Sequence, residues 1–142
     1  MAHYAKIGLD NIVTAVTRID NKDCMDPEGN FIEQLGIDQL VAQTGHDTWI
    51  RCSINTSNGQ HLNGGTPLRL NFPSADGNWK YDSELDGFVE ISHPTMNSFV
   101  LNNNTGRFEA PVAYPDDGNR HRWDDENAQW VQWMSQNTTS SK

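Results

Sequence analysis

The sequence predicts an α+β protein, mostly antiparallel β: an N-terminal hairpin, one short helix and a strand, then a meander of three β-hairpins. Three observations carry that expectation. β-Branched and aromatic residues alternate with polar ones in several short runs, the pattern of half-buried strands. One stretch alone, Phe31 to Thr44, has helical spacing. The stretch from Pro73 to about Ser135 is written three times, with Pro73, Pro94 and Pro115 each 21 residues apart. A fixed period of that length points to one supersecondary unit repeated.

In chain order, HYAKIGLDNIVTAVTRI (3–19) predicts a hairpin that turns at Leu9-Asp10-Asn11. Asp20 to Asn30 is acidic, with a Pro and a Gly, and predicts a loop. The helix follows. Phe31, Leu35, Leu40 and Val41, with Ile37 between, give the apolar face, Asn30 the N-cap, and Gly45 the C′ position. Gly36 should weaken it by about 1 kcal/mol relative to Ala. His46 to Asn55 returns to a strand pattern. Asn55 to Asn71 is rich in Gly, Asn, Ser and Thr and predicts an ordered loop in which Leu62, Leu68 and Leu70 are buried.

Each of the three copies has a proline, a polar turn, an apolar pair and a ring seven residues further on. The first is Pro73, Trp79, Tyr81, Phe88; the second Pro94, Phe99, Leu101, Phe108; the third Pro115, His121, Trp123, Trp130. The hexapeptides DSELDG, NNNTGR and DDENAQ lie between the anchors. Two aromatic strands around an Asp/Asn/Gly cluster make a hairpin, stabilised by cross-strand ring pairs. The organisation expected is therefore a small α+β unit over 1–72, a hairpin module over 73–135 and a polar tail over 136–142.

Composition narrows the function. The chain of 142 residues is 35% hydrophobic, so its core is thin, and its five Trp offset part of that deficit. A net charge of −9 with no basic run argues against nucleic-acid binding. No run is long enough to insert in a membrane, and MAHYAKIGLDN has neither the charged nor the apolar region of a signal peptide. The chain is expected to stay in the cytoplasm where it is made, or to leave by a route that needs no signal. Cys24 and Cys52 are too few for a disulfide framework and read as free thiols.

Reaction chemistry finds little support. DSELDG (82–87) has alternating acids like half a calcium loop, but His93 stands where the twelfth-position acid belongs, so a hairpin turn is the better reading. The five histidines have no metal-ligand spacing, and no nucleophile elbow or phosphate-binding fingerprint occurs. No enzyme activity, cofactor or metal is expected. The rings Trp79, Tyr81, Trp123, Trp130 and Trp133 admit two readings. They could contact a partner or stack on a glycan, or they are the core of hairpins that have little else to bury. The second reading is the stronger on this argument.

Five segments carry a family resemblance: AHYAKIGLDNIV, EQLGIDQLVAQTG with the following HDTWIRCSINT, HLNGGTPLRLNF and FEAPVAYPDDGNRHRWDDENAQWVQW. Together they resemble small virion structural proteins of marine cyanobacterial phages, over nearly the whole chain. The closing YPDDG…HRWDDENAQW block is also similar to modules near the ends of phage tail and fibre proteins. The resemblance implies a non-enzymatic particle component, associated with capsid or tail, with other virion proteins or further copies of itself as partners. A second resemblance, carried by Asp76-Gly77-Asn78-Trp79-Lys80-Tyr81-Asp82, is to bacterial cell-wall-binding hairpin repeats; Leu101 and His121 depart from that pattern. Two other roles stay open: an adhesin module for host-surface glycans, and an assembly chaperone for a tail fibre.

Overall fold

The computed structural model describes residues 1–133. The polar tail expected over 136–142, and the last two residues of the hairpin module, lie outside them. The chain divides into two compact units, Met1–Ile91 with Asn102–Arg107, and Ser92–Leu101 with Phe108–Lys142. The sequence boundary at 72/73 falls inside the first unit. Trp79 and Phe88 of the first hairpin share a core with Ala5, Ile7, Val13 and Cys52 from the N-terminal strands.

In the first unit, β1 (Ala2–Ile7) and β2 (Val13–Ile19) form the expected hairpin around a 3-10 turn at Leu9–Asn11. Asp10 and Asn11 take φ 58° and 62° there, which short polar side chains tolerate. A loop leads to α1 (Glu33–Thr44) and then β3 (Trp49–Cys52), and the sheet order is β2-β1-β3. β1 is the central strand, paired on both edges, and core clusters cover both of its faces. Ala2 and Tyr4 pack with Ile19, Cys24, Leu40 and Trp49, against Phe31, Ile37 and Val41. Ala5 and Ile7 face the opposite cluster with Trp79 and Phe88. Helix, sheet and hairpin are thus three layers, arranged by the period-2 alternation of β1.

The helix differs in detail from its sequence expectation. Asn30 is not its cap: the N-cap position is Ile32, without a side-chain bond, and Asn30 instead gives its backbone N–H to Asp26 Oδ1 at 2.8 Å. That bond closes the 26–30 turn. Leu35 is exposed, and Gly36 takes its place on the buried face. There the Tyr4 ring lies so close that a Cβ on Gly36 would sit 2.6 Å from Tyr4 Cζ, while Tyr4 Oη donates to the Glu33 carbonyl at 2.9 Å. Gly45 ends the helix in the left-handed region at φ 75°, as a C′ glycine does.

The region expected to be only a loop contains a further hairpin, β4 (Thr56–Ser57) and β5 (Gln60–His61). Its two central residues, Asn58 and Gly59, have φ 54° and 76°, the backbone a twisted two-residue hairpin requires. Leu62 is exposed, against expectation, whereas Leu68 and Leu70 are half-buried. Behind this hairpin Asn71 is fully buried. Its Oδ1 accepts from the Asn58 amide at 2.8 Å, and its Nδ2 donates to the carbonyls of Phe88 at 3.0 Å and Thr105 at 2.7 Å. Beside it, the Arg69 guanidinium binds Glu33 Oε1, the Arg51 carbonyl and Asp86 Oδ1 at 3.1, 3.0 and 2.9 Å.

The three later hairpins are β6 (Trp79–Asp82) with β7 (Gly87–Glu90), β8 (Val100–Asn102) with β9 (Arg107–Glu109), and β10 (His121–Asp124) with β11 (Gln129–Gln132). They start at 79, 100 and 121, and each is its own two-stranded sheet. Their four-residue turns share one chemistry. The first hexapeptide residue, Asp82, Asn102 or Asp124, accepts a backbone amide two or three residues on. The fifth, Asp86, Gly106 or Ala128, has φ 50°, 73° or 52°. Their packing is not shared: Phe88 is 0% exposed, while Phe108 and Trp130 are half-buried. A regular repeat is therefore not established. Among the described residues no helix is long and apolar enough to cross a membrane.

Candidate functional site

The second unit is held by rings rather than by aliphatic side chains. Trp123 and Trp130 are direct cross-strand partners in β10 and β11, with ring centroids 5.0 Å apart at 74°. Phe99 extends the row on the Trp123 side at 5.7 Å and Tyr114 on the Trp130 side at 4.9 Å, both edge-to-face. His93 packs on Phe99 and His121 on Tyr114 at the two ends. Edge-to-face contact sets the positive rim of one ring against the negative face of the next.

Hydrogen bonds fix the row at its polar atoms. Trp123 Nε1 donates to Ser98 Oγ and Trp130 Nε1 to the Val112 carbonyl, each at 2.8 Å. The Tyr114 hydroxyl accepts the His121 amide at 2.8 Å. Ser98 is itself set by Asp125, whose carboxylate takes the Ser98 hydroxyl at 2.6 Å and the amides of Ser98 and Asn97 at 2.8 and 3.0 Å. The Ser98 hydroxyl and amide hold the Asp125 carboxyl below its ordinary value, because they favour its charged form.

One side of this row is open. Val112 is 55% exposed, Tyr114 52% and Trp133 55%. A groove of about 350 Å³ runs beside Val112 and Tyr114, lined also by Phe99, Glu109, Ala110 and Trp130 among others. Trp133 lies under the Arg120 guanidinium, 5.2 Å from the ring centroid. The groove has apolar walls, two partly accessible aromatic faces and one carboxylate. Such a lining offers contact and stacking.

The five aromatic candidates fall into three situations. Trp79 (7% exposed) and Trp123 (8%) are interior, and Arg107 covers Trp79 at 5.0 Å from the ring centroid. Tyr81 and Trp130 are half-buried; Tyr81 packs on Phe88 and gives its hydroxyl proton to Asp86 Oδ1. Trp133 is exposed. Trp79 and Tyr81 belong to the first unit and the other three to the second. Sequence reasoning missed Val112 and Tyr114, the exposed wall of the groove. The one available signal was an apolar residue and a Tyr just before Pro115, in a segment too short to show any period.

The other constellations are structural. Asp82 is committed to the amides of Glu84 and Leu85 at 2.9 and 3.1 Å, as a hairpin turn requires. His46 Nε2 bonds the Ile7 carbonyl at 2.7 Å, and its ring meets Trp49 edge-on. Burial pushes the Cys52 thiol up to about 12, so it stays a protonated core residue. Among the described residues no group of three or more His, Cys, Asp and Glu is placed to hold a metal ion. No protein-family model matches the chain, and no curated protein or solved structure matches it.

Proposed function

We propose that the chain is a non-enzymatic structural protein of a bacteriophage particle, an accessory component of capsid or tail that docks on neighbouring virion proteins through its C-terminal hairpin unit. The observation that carries docking is the open side of the ring row, with Val112 and Tyr114 each more than half exposed on an apolar groove. Neighbouring exposed rings and aliphatic side chains mark a surface that gains by being covered. The particle setting rests on the resemblance of the segments quoted above, and the charge of −9 suits an outer surface, where it discourages adhesion to nucleic acid.

A second reading, a module that binds host-surface glycans, has one observation in its favour: the groove sets the faces of Tyr114 and Trp130 beside the Glu109 carboxylate. The interior placement of Trp123 weighs against a broad stacking platform. Mass spectrometry of purified particles tests the first reading. Peptides of the chain are expected at a fixed ratio to the major capsid protein, in the hundreds for capsid decoration or a handful for tail or fibre. Abundance in the lysate with absence from particles overturns it and favours an assembly chaperone.

A further inference from the structure

We propose that Asn63 is a site of spontaneous deamidation, and that the fold protects the chain's other Asn-Gly step, Asn58-Gly59, from the same reaction. The two steps are five residues apart in one loop region, yet they are held very differently.

The chemistry needs only water. The backbone nitrogen of Gly64, giving up its proton to solvent base, bonds to Cγ of Asn63. The bond from Cγ to the side-chain nitrogen breaks, and that nitrogen leaves as ammonia. The resulting five-membered succinimide then takes up one water at either carbonyl, opening to aspartate or to isoaspartate. Nothing is oxidised or reduced; an amide and a water become a carboxyl and ammonia. Glycine after the asparagine matters because no side chain hinders the approach of its nitrogen. The rate then depends on how readily backbone and side chain can turn into the attacking geometry, and so on local opening.

At Asn58 that turn is blocked from three directions. Its Oδ1 accepts from Arg107 Nε at 2.8 Å, its own N–H is held by buried Asn71 Oδ1 at 2.8 Å, and the attacking Gly59 nitrogen donates to the Leu70 carbonyl at 2.9 Å. Gly59 also lies against the Asn104 carbonyl. Freeing this step means breaking the Asn71 network, which reaches Phe88 and Thr105 as well.

At Asn63 almost none of this applies. Residues 62 to 67 are all exposed, and the Asn63 side-chain amide has no hydrogen-bond partner among the described residues. The turn rests on two bonds to His61: Gly64 N to its carbonyl at 3.2 Å and Asn63 N to its Nδ1 at 3.0 Å. Gly64 has nothing within 4 Å of where a Cβ would be. The aspartyl-glycine steps do not compete. A carboxylate is the poorer electrophile, and here each is engaged: Asp76 by the Asn78 amide, Asp117 by the Asn119 amide, and Asp86 by Arg69 and Tyr81. Reaction at Asn63 adds one negative charge to a chain already at −9 and, as isoaspartate, one extra backbone carbon where the β4–β5 hairpin ends.

The test is a timed incubation of the folded full chain at about pH 8 and about 37 °C, sampled over days, with trypsin digestion after acid quench. Cleavage after Arg51 and Arg69 leaves both steps in one peptide, Cys52–Arg69, whose fragment spectra locate the gain of about one dalton. Asn63 is expected to convert at least about ten times faster than Asn58 in the folded chain, with the two rates drawing within about threefold in concentrated urea, where local protection is gone. Arg107→Gln should speed Asn58 severalfold and leave Asn63 unchanged, which serves as the internal control. Equal rates in the folded chain overturn the proposal. So does an unmodified Asn63 under conditions in which the unfolded chain reacts.

Discussion

Single residues in this chain are decided by close approach and by buried polar bonds. Helix propensity alone says that Gly36→Ala should stabilise α1 by about 1 kcal/mol. The structure reverses the sign, because the added Cβ meets the fully buried Tyr4 ring in a packed layer. The expected outcome is a loss of about 1–3 kcal/mol, the usual cost of overpacking, read from urea unfolding; a gain would show that Tyr4 has room to move. Asn71→Ala should lose about 2–4 kcal/mol, since three backbone groups lose their partner together and some stay buried. A midpoint unchanged from the parent chain would remove Asn71 as the hub. Asp86 supplies a pH test. The Tyr81 hydroxyl, and after it Arg69, hold its carboxyl below the ordinary 3.8, with partial burial opposing. Its folded value lies below its unfolded one, so its contribution is present above pH 3.8 and fades as pH falls through the folded value. Stability of Asp86→Asn should therefore fall less steeply than that of the parent between about pH 4 and about pH 2. Parallel curves would mean that the carboxylate contributes nothing.

At the scale of elements, the hairpins separate what recurs from what does not. Their turns share an Asx residue at the start and a left-handed residue at the end, but their anchors differ in burial. Phe88→Ala should cost the first unit about 3–5 kcal/mol, and Phe108→Ala clearly less, because Phe108 keeps solvent contact. Equal losses in denaturant titrations would restore a regular repeat. This contrast also explains what was legible in the sequence. Alternation and Asp/Asn/Gly clusters are local signals, so the hairpins around DSELDG, NNNTGR and DDENAQ, the first hairpin with its turn at Leu9–Asn11, and the helix end at Gly45 could all be read directly. The β4–β5 hairpin announced itself in Asn58-Gly59 but has strands of only two residues, too short to alternate. Asn30 looked like a cap because capping residues and turn residues are the same residues, and Asp26 won the competition. The open wall at Val112 and Tyr114 had no local signature, since exposure is set by what packs elsewhere.

For the whole molecule the decisive quantity is charge: 19 acidic against 10 basic side chains. Among the described residues few of the acids are seen with an Arg or Lys partner: Glu33 and Asp86 share Arg69, and Glu90 has Arg107. Most of the remaining negative charge is at the surface, where like charges repel across the folded chain and less so once it expands. Salt should therefore stabilise. Raising ionic strength from about 10 mM to about 150 mM shortens the Debye length from about 30 Å to about 8 Å, which removes most repulsion between distant carboxylates. It acts far less on Arg69, which is largely shielded from solvent. About 1 kcal/mol of relief corresponds to a rise of roughly 3–4 °C in Tm for a chain of this size. Calorimetric scans at the two salt concentrations decide it. A rise supports net repulsion as the dominant electrostatic effect, whereas a fall would mean that attractive ion pairs outweigh the repulsion among the acids. The same balance bears on docking: if repulsion dominates, association of two copies should tighten with salt, while binding to a basic partner should weaken.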